Sequence, residues 1–249
     1  IGLPIGLGCI LGKLLEESGG ARIIAETLIK KTGQKYALFA LGFAAFLLSI
    51  PVFFDITFII LIPLAIEMSK TLKKPLPYAV GAVTICAAGA HTLIPPTPNP
   101  LAAASILHFD LGIMLIAGAA VCLGACLFGL IIYFKMLDRG FWNKEKDETG
   151  IITVEKGEPI PPNAPSFAAA LVPLPVICII LNTVSGVFGV KSVFISFLSN
   201  RVIAMLLGTL AAYIIAHKAL KNRLGDIVDS AVASSGIVLL ITGAGGSFG

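Results

Sequence analysis

The sequence has few charged residues. Asp, Glu, Lys and Arg make up 13% of its 249 residues, whereas hydrophobic residues make up 57%. A soluble domain carries about 25% charged residues, so this composition excludes an ordinary soluble domain. Several stretches of about 18 residues have almost no charge, which is typical of helices that cross a bilayer. The sequence therefore predicts an all-α, multi-pass membrane protein.

Other features are also absent. The five cysteines lie in apolar runs without a C-x-x-C pair, which argues against disulfides and against a metal site. No basic stripe interleaved with aromatic residues accompanies the net charge of +4, so no nucleic-acid partner is expected. No cofactor is expected either. No cleavable signal peptide is recognisable. Because the chain begins inside an apolar run without a Met, we expect it to be part of a longer protein.

Apolar and polar stretches alternate along the chain and define candidate membrane elements. Those up to residue 136 are a span at 1–15, an interfacial amphipathic helix at 21–31, a re-entrant hairpin at 36–69, a broken helix at 76–107 and a span at 111–136. Those that follow are a cytoplasmic loop at 137–166, spans at 167–190 and 201–217, and the beginning of a further span at 227–249. Asp110 is expected to be the N-cap of the helix that follows it.

The stretch at 36–69 is interrupted by Pro51 and Asp55. Its two arms would form helices of about 22 and 21 Å, shorter than the hydrocarbon core of about 30 Å. The stretch is either one bent span or a hairpin with its tip at 50–56. A hairpin places 16 of the 18 Lys and Arg residues on one side, in the loops at 13–35, 70–74, 135–166 and 217–226. Because basic residues concentrate in cytoplasmic loops, this favours a hairpin that opens to the cytoplasm.

Two breaks in the helical pattern lie close together in the sequence, PVFFD at 51–55 and PPTPNP at 95–100. Proline lacks an N–H donor and clashes with the preceding helical turn, so four prolines in six residues interrupt a helix. Irregular backbone persists at membrane depth only where protein or a water-filled cavity covers it. Paired interruptions of this kind mark the binding sites of secondary transporters, where helix ends offer N–H groups to anions and carbonyls to cations.

The two breaks resemble the motifs of the gluconate permease family. Its members carry PVFF and an acidic residue, as at 51–55, followed by His-x-x-x-Pro-Pro-x-Pro-x-Pro, as at 91–100. The layout is also similar to the wider ion-transporter superfamily, in which a hairpin tip and a proline-broken helix form the carboxylate site. Two positions depart from the pattern, because members that handle gluconate often have His in place of Thr97 and Gly in place of Asn99.

The resemblance implies a proton-coupled symporter of gluconate or a related sugar acid in the bacterial inner membrane. It also implies an elevator movement, a homodimer and two inverted repeats. The chain would hold the first repeat, 1–136, and the start of the second, 227–249. The partners would be a small organic anion, a proton or Na⁺, and the lipid bilayer. The alternative within transport is an H⁺- or Na⁺-coupled carrier of another hydroxy acid, carboxylate or D-amino acid.

Asp55 and His91 are the candidate proton-coupling residues. A carboxylate at membrane depth is costly, and its presence therefore indicates a function. Asp55 could instead serve as the N-cap of the arm that follows it. His91 lies four residues before Pro95, where it could bind a substrate oxygen, relay a proton or hold the broken backbone as a structural histidine.

Hydroxyl and amide groups near the breaks complete the predicted site. The predicted substrate-binding residues are Asp55, Thr57, His91, Thr92, Thr97 and Asn99. Such groups suit a polyhydroxy acid, although Thr and Asn are also common turn residues and Thr57 could simply pack within its helix. The prolines expected to break the backbone are Pro51, Pro95, Pro96, Pro98 and Pro100.

Two other classes of function fit the sequence less well. An intramembrane enzyme needs paired aspartates, a Ser/His dyad or a zinc cluster, whereas this chain has one deep aspartate and no H-E-x-x-H motif. A passive channel is built from rings of polar groups around a pore. The paired helix breaks argue instead for alternating access.

Overall fold

The computed structural model describes residues 2–143, 174–188, 192–220 and 223–246. The described residues form α-helices and no β-strand, which confirms the all-α prediction. The helices are α1 Gly2–Glu17, α2 Gly20–Thr32, α3 Ala37–Leu48, α4 Phe54–Leu72, α5 Leu76–Leu93, α6 Pro98–Ile106, α7 Leu111–Met136, α8 Leu174–Val187, α9 Val193–Leu198, α10 Arg201–Leu220 and α11 Leu224–Gly246. Most of the predicted loop at 137–166 lies outside the described residues, as do the ends of the elements predicted at 167–190 and 227–249.

The centre of the fold is a close contact between α3 and α5. A Cβ at Gly42 would lie 3.0 Å from Cys86 Sγ and 3.3 Å from the Ala82 carbonyl oxygen. The missing side chain therefore lets the two helices approach closely, as small residues do between membrane helices. Around this pair, α4 and α7 pack against α5, α2 packs against α3, and α1 packs against α10 and α11.

Among the residues that the structure describes, two helical stretches are long and apolar enough to cross a membrane, Leu76–Ile106 and Leu111–Phe141. The second stretch contains α7, which exposes large apolar side chains such as Leu127 and Phe128 along its length. Asp110 caps this helix, because its carboxylate accepts a hydrogen bond of 2.9 Å from the N–H of Ile113. The predicted N-cap is thus confirmed.

The two arms of the predicted hairpin differ in length. The first arm, α3, has 12 residues and the second, α4, has 19, which correspond to about 18 and 28 Å. The prediction of two arms of similar length is therefore wrong. The basic residues after position 69 suggested a loop, but Lys70 lies in the last turn of α4, where a positive charge is favourable.

The hairpin tip also differs from the prediction. It comprises residues 49–53, because α4 already begins at Phe54. Phe53, with an extended backbone, occupies the N-cap position, and Asp55 lies in the first turn of the helix. The suggestion that Asp55 caps the helix is therefore wrong. An acidic side chain in the first turn still faces the positive end of the helix dipole.

The second break is shorter than the proline motif suggested. It comprises residues 94–97, because α6 begins at Pro98. Pro98 and Pro100 lie in the first turn of α6, whose N–H groups have no partner within the helix, so proline is tolerated there. Only Pro95 and Pro96 interrupt the helix, and the expectation that Pro98 and Pro100 also do so is wrong.

Two further differences concern short elements. Residues Leu137–Phe141 continue α7 by one helical turn, although a loop was predicted from 137 onwards. The short helix α9 was not predicted at all. Six residues provide too few turns for a periodic pattern to be recognised in a sequence that is apolar throughout.

Candidate functional site

The two helix breaks meet in space. The hairpin tip and the break between α5 and α6 line one small cavity of about 10 Å³. Residues of α1 and α10 complete its wall, and the lining residues are Pro4, Gly8, Pro51, Val52, Phe53, Pro96, Thr97 and Met205. This volume is roughly what one water molecule needs. The cavity therefore marks the meeting point of the breaks and is too small for an organic acid in this conformation.

Glycines of α1 let the hairpin tip come close. A Cβ at Gly8 would lie 3.2 Å from the ring of Phe53, and a Cβ at Gly12 would lie 2.9 Å from Val52 and 3.2 Å from Ile56. These distances are shorter than ordinary van der Waals contacts. Larger residues at these two positions would push the tip away from α1.

The fold brings Asp55 and His91 together. His91 lies in the last turn of α5, and its ring centroid is 5.4 Å from that of Phe53 in the hairpin tip. The carboxylate of Asp55 acts electrostatically on the imidazole of His91. The imidazole is half-buried, whereas Asp55 is exposed in the described chain. The two predicted proton-coupling residues therefore lie on either side of the same junction.

Two buried hydroxyl groups near this junction lack a hydrogen-bond partner. Six Ser and Thr side chains are buried in the described part of the chain: Ser18, Ser49, Thr57, Thr97, Thr209 and Ser235. Four of them donate to backbone carbonyl oxygens. Ser49 and Thr57, both fully buried, have no partner among the described residues, and neither has Nδ1 of His91. These atoms could still bind a polar ligand.

The remaining predicted residues have different environments. Thr97 occupies the N-cap position of α6, and its hydroxyl donates to the Ile94 carbonyl oxygen at 2.7 Å, which is the turn role considered above. Thr92 and Asn99 are exposed. Pro98 and Pro100 carry no N–H. The N–H of Asn99 is therefore the donor in the first turn of α6 that has no acceptor within the helix.

Sequence reasoning missed two residues at this site. Ser49 follows the apolar helix α3 directly, two residues before Pro51, and its isolated hydroxyl in an apolar stretch was the available signal. Phe53 belongs to the recognised PVFFD motif, yet nothing in the sequence indicated that its ring would lie against His91. Contacts between separate breaks depend on tertiary packing.

A larger cavity, of about 510 Å³, lies at the other end of the hairpin. Its lining comes from α2, from the start of α3 and from the C-terminal half of α4, and includes Glu26, Lys30 and Glu67. None of the predicted site residues lines it. The larger of these two cavities is therefore not the one that the predicted site residues line.

Buried thiols form a second polar cluster in the bundle. Cys122 and Cys126 of α7 approach each other with an Sγ–Sγ distance of 3.6 Å, and Cys126 lies 3.7 Å from the Ile85 carbonyl oxygen of α5. Across the residues that the structure describes, no group of three or more His, Cys, Asp or Glu side chains is arranged to hold a metal ion. The thiols act here as small packing residues.

Comparison with known proteins identifies the class of this protein. The family model described as GntP family permease matches residues 1–249. The chain therefore belongs to the GntP permease family. The gluconate permease resemblance inferred from the two motifs is confirmed.

Individual relatives support this assignment. The chain is 35% identical over 274 residues to an uncharacterized permease of Haemophilus influenzae, covering 100% of the chain and 54% of the relative. It is 32% identical over 269 residues to the inner membrane permease YgbN of Escherichia coli K12, covering 98% and 57%. It is 31% identical over 250 residues to a high-affinity gluconate transporter of Escherichia coli K12, covering 96% and 54%. The chain thus spans about half the length of these relatives, and no solved structure matches it.

Proposed function

We propose that the full-length protein is a secondary active transporter that moves gluconate or a related sugar acid across the bacterial inner membrane together with protons. The observation that carries this proposal is the meeting of two helix breaks at one point, with an acid and a histidine beside it. Breaks of this kind expose helix ends to a substrate. The similarity to a relative named as a high-affinity gluconate transporter supports the substrate class.

The helix N-termini at the junction suit a carboxylate. The first turn of α4 begins at Phe54 without a side-chain cap, so the backbone N–H groups of its first residues are available to an anion. Asn99 adds a backbone and a side-chain donor from the first turn of α6. We assign the carboxylate of the substrate to these two helix ends, beside Thr57 and Thr97.

The proton is assigned to Asp55 and His91. His91 lies in the last turn of α5 and is half-buried, and the carboxylate of Asp55 is close enough to act on its imidazole. The hydration of both groups changes when the hairpin tip opens and water enters. Movement of the tip would therefore link proton binding to access of the substrate.

The small cavity indicates a closed conformation. Binding sites for small molecules usually have volumes of about 300 Å³ or more, whereas the cavity between the breaks has about 10 Å³. A sugar acid can enter only if the hairpin tip separates from residues 94–97. We propose that this occurs within an elevator-type movement of a homodimer with two inverted repeats. The second repeat would begin at 227–249 and continue in the part of the relatives' length that this chain does not match.

Uptake by proteoliposomes tests the proposal. Full-length protein would be reconstituted and supplied with labelled gluconate, first under an imposed pH gradient and then under an imposed sodium gradient. We expect uptake that rises with the proton gradient, is abolished by a protonophore and is indifferent to sodium. Liposomes without protein provide the background.

The alternative function is an H⁺- or Na⁺-coupled carrier of another small hydroxy acid, carboxylate or D-amino acid. Thr97 and Asn99 favour it, because gluconate-handling members of the family often have His and Gly at these positions. Uptake driven by sodium alone would contradict proton coupling. Absence of gluconate uptake under both gradients would contradict the substrate, and a panel of smaller acids and D-amino acids would then identify it.

A further inference from the structure

Ser49 differs from most of the buried hydroxyl residues in the ranges that the structure describes. In helices, buried Ser and Thr hydroxyls usually donate to a carbonyl oxygen three or four residues earlier, as Thr209 and Ser235 do here with distances of 2.8 and 2.6 Å. Ser49 is fully buried and makes no such bond. Its hydroxyl is therefore turned away from the carbonyls of the last turn of α3, the helix that it caps.

The register of the helices places Ser49 at the second break. The hairpin and the turn after it reverse the chain twice, so α3 and α5 run in the same direction. Gly42 lies against residues 82–86 of α5, because a Cβ added at Gly42 would lie 3.0 Å from Cys86 Sγ. Ser49, the C-cap residue of α3, keeps a helical backbone and lies two helical turns beyond Gly42 on the same side. It therefore faces the last turn of α5, directly before the break.

Thr57 and His91 lie in the same layer. Thr57 is fifteen residues from Leu72, the last residue of α4, and His91 is fifteen residues from Leu76, the first residue of α5. Because these two helices are antiparallel neighbours joined by a short turn, both side chains lie about 22 Å above that turn. Ser49, Thr57 and His91 thus occupy one layer of three helices that pack against one another.

This layer contains three of the four buried side-chain polar atoms that lack a partner in the described part of the chain. Packed helix axes lie about 8–10 Å apart, so one small ligand between the three helices can reach atoms on each of them. Buried polar groups are normally hydrogen-bonded, and three unpaired ones in a single layer favour a polar ligand as their partner.

The chemistry of the layer favours a neutral hydroxyl group over a cation. Ser49 and Thr57 contribute hydroxyls, which both donate and accept hydrogen bonds, and Nδ1 of His91 does one or the other. A bound Na⁺ or similar hard cation would prefer carboxylate and carbonyl oxygens, whereas the buried groups of this layer are two hydroxyls and an imidazole, and the carboxylate of Asp55 is exposed. A polyhydroxy acid presents hydroxyl groups that match all three side chains.

We infer that Ser49 is a substrate-binding residue that contacts a hydroxyl group of the transported sugar acid once the hairpin tip opens. This inference rests on the proposed function. It adds a hydroxyl-binding layer between α3, α4 and α5 to the carboxylate-binding helix ends, and so gives the site a means of selecting polyhydroxy acids over simple carboxylates.

The test is the transport kinetics of Ser49→Ala in the full-length protein, with gluconate and a series of monodeoxy gluconates. We expect KM for gluconate to rise about tenfold, as for the loss of one hydrogen bond, with an unchanged or higher melting temperature because no hydrogen bond of the folded protein is lost. The wild type should prefer gluconate to the deoxy analogue that lacks the hydroxyl bound by Ser49. Ser49→Ala should transport this analogue and gluconate with the same KM. Ser49→Thr should restore KM, because it keeps the hydroxyl.

Ser235→Ala is the matched control, because it removes a buried hydroxyl that already bonds a backbone carbonyl. It should lower the melting temperature and leave KM unchanged. If Ser49→Ala behaved in the same way, Ser49 would be structural and the inference wrong. A changed proton or sodium dependence with unchanged KM would assign Ser49 to a cation and also overturn it. If the wild type did not transport gluconate, both the proposed function and the Ser49 assignment would be contradicted. If the wild type were active and Ser49→Ala had the same kinetics, only the Ser49 assignment would be contradicted.

Discussion

Substitution of Gly118 by Ala should destabilise the contact between α7 and the end of α5. A Cβ at this position would lie 2.4 Å from the carbonyl oxygen of Leu93, whereas ordinary contacts begin at 3.4 Å. The two helices would have to separate by about 1 Å, because a backbone carbonyl cannot rotate away as a side chain can. Overpacking of this kind costs about 1–3 kcal/mol.

Gly124 provides a control on the same helix. A Cβ there would meet no atom within 4 Å, so Gly124→Ala should be neutral or slightly stabilising. The gain in helix propensity, at most about 1 kcal/mol, is common to both variants. The difference between them therefore isolates the clash with Leu93.

The assay is thermal unfolding of the full-length variants in detergent, followed by circular dichroism. We expect the melting temperature of Gly118→Ala to lie below that of Gly124→Ala by on the order of 2–6 °C. Because Leu93 directly precedes the break, transport per folded molecule should also fall for Gly118→Ala only. Equal melting temperatures for the two variants would refute the close approach of α7 to the break.

Three further variants test the site and the fold. Asp55→Asn should abolish proton-driven accumulation but preserve membrane insertion and substrate counterflow, which needs no net proton movement; normal accumulation by this variant would remove Asp55 from the mechanism. Asp110→Ala should lower the stability by about 1 kcal/mol, because the N–H of Ile113 loses its cap. Thermal unfolding measures this loss, with Asp110→Asn as the control variant that keeps the acceptor. Equal losses in the two variants would argue against the cap. Tyr78→Phe should lower the stability by about 1 kcal/mol, because it removes a hydrogen bond of 2.5 Å to the exposed carboxylate of Asp138. A double-mutant cycle with Asp138→Ala measures the coupling energy between the two side chains. A coupling energy of zero would contradict the contribution of this bond.

Much of the local structure follows from the sequence. The scarcity of charge predicts membrane helices, since burying charged groups in hydrocarbon is costly. Asp110 indicates the start of α7 because its side chain satisfies a backbone N–H within the same helical turn. The positions of the two breaks follow from proline chemistry, and the two motifs together identify the family. These features depend on residues close to each other in the chain.

Helix boundaries were less accessible, because they depend on small energy differences at helix ends. Pro98 has the residue type of a helix breaker, yet it begins α6, since its missing N–H would have no helical partner in the first turn. Lys70 has the residue type of a loop, yet it lies in the last turn of α4, where the helix dipole favours it. Residue type alone does not distinguish these positions.

The tertiary structure alone decided which polar groups come together. It places Phe53 against His91, brings Asp55 within electrostatic range of the same ring, and leaves the hydroxyl of Ser49 buried without a partner. No local pattern encodes these relations, because they depend on how the glycines of α1 and the close approach of α3 to α5 set the distances between helices. The sequence by itself therefore determined the class of protein and the two breaks, whereas packing determined the chemistry of the site where those breaks meet.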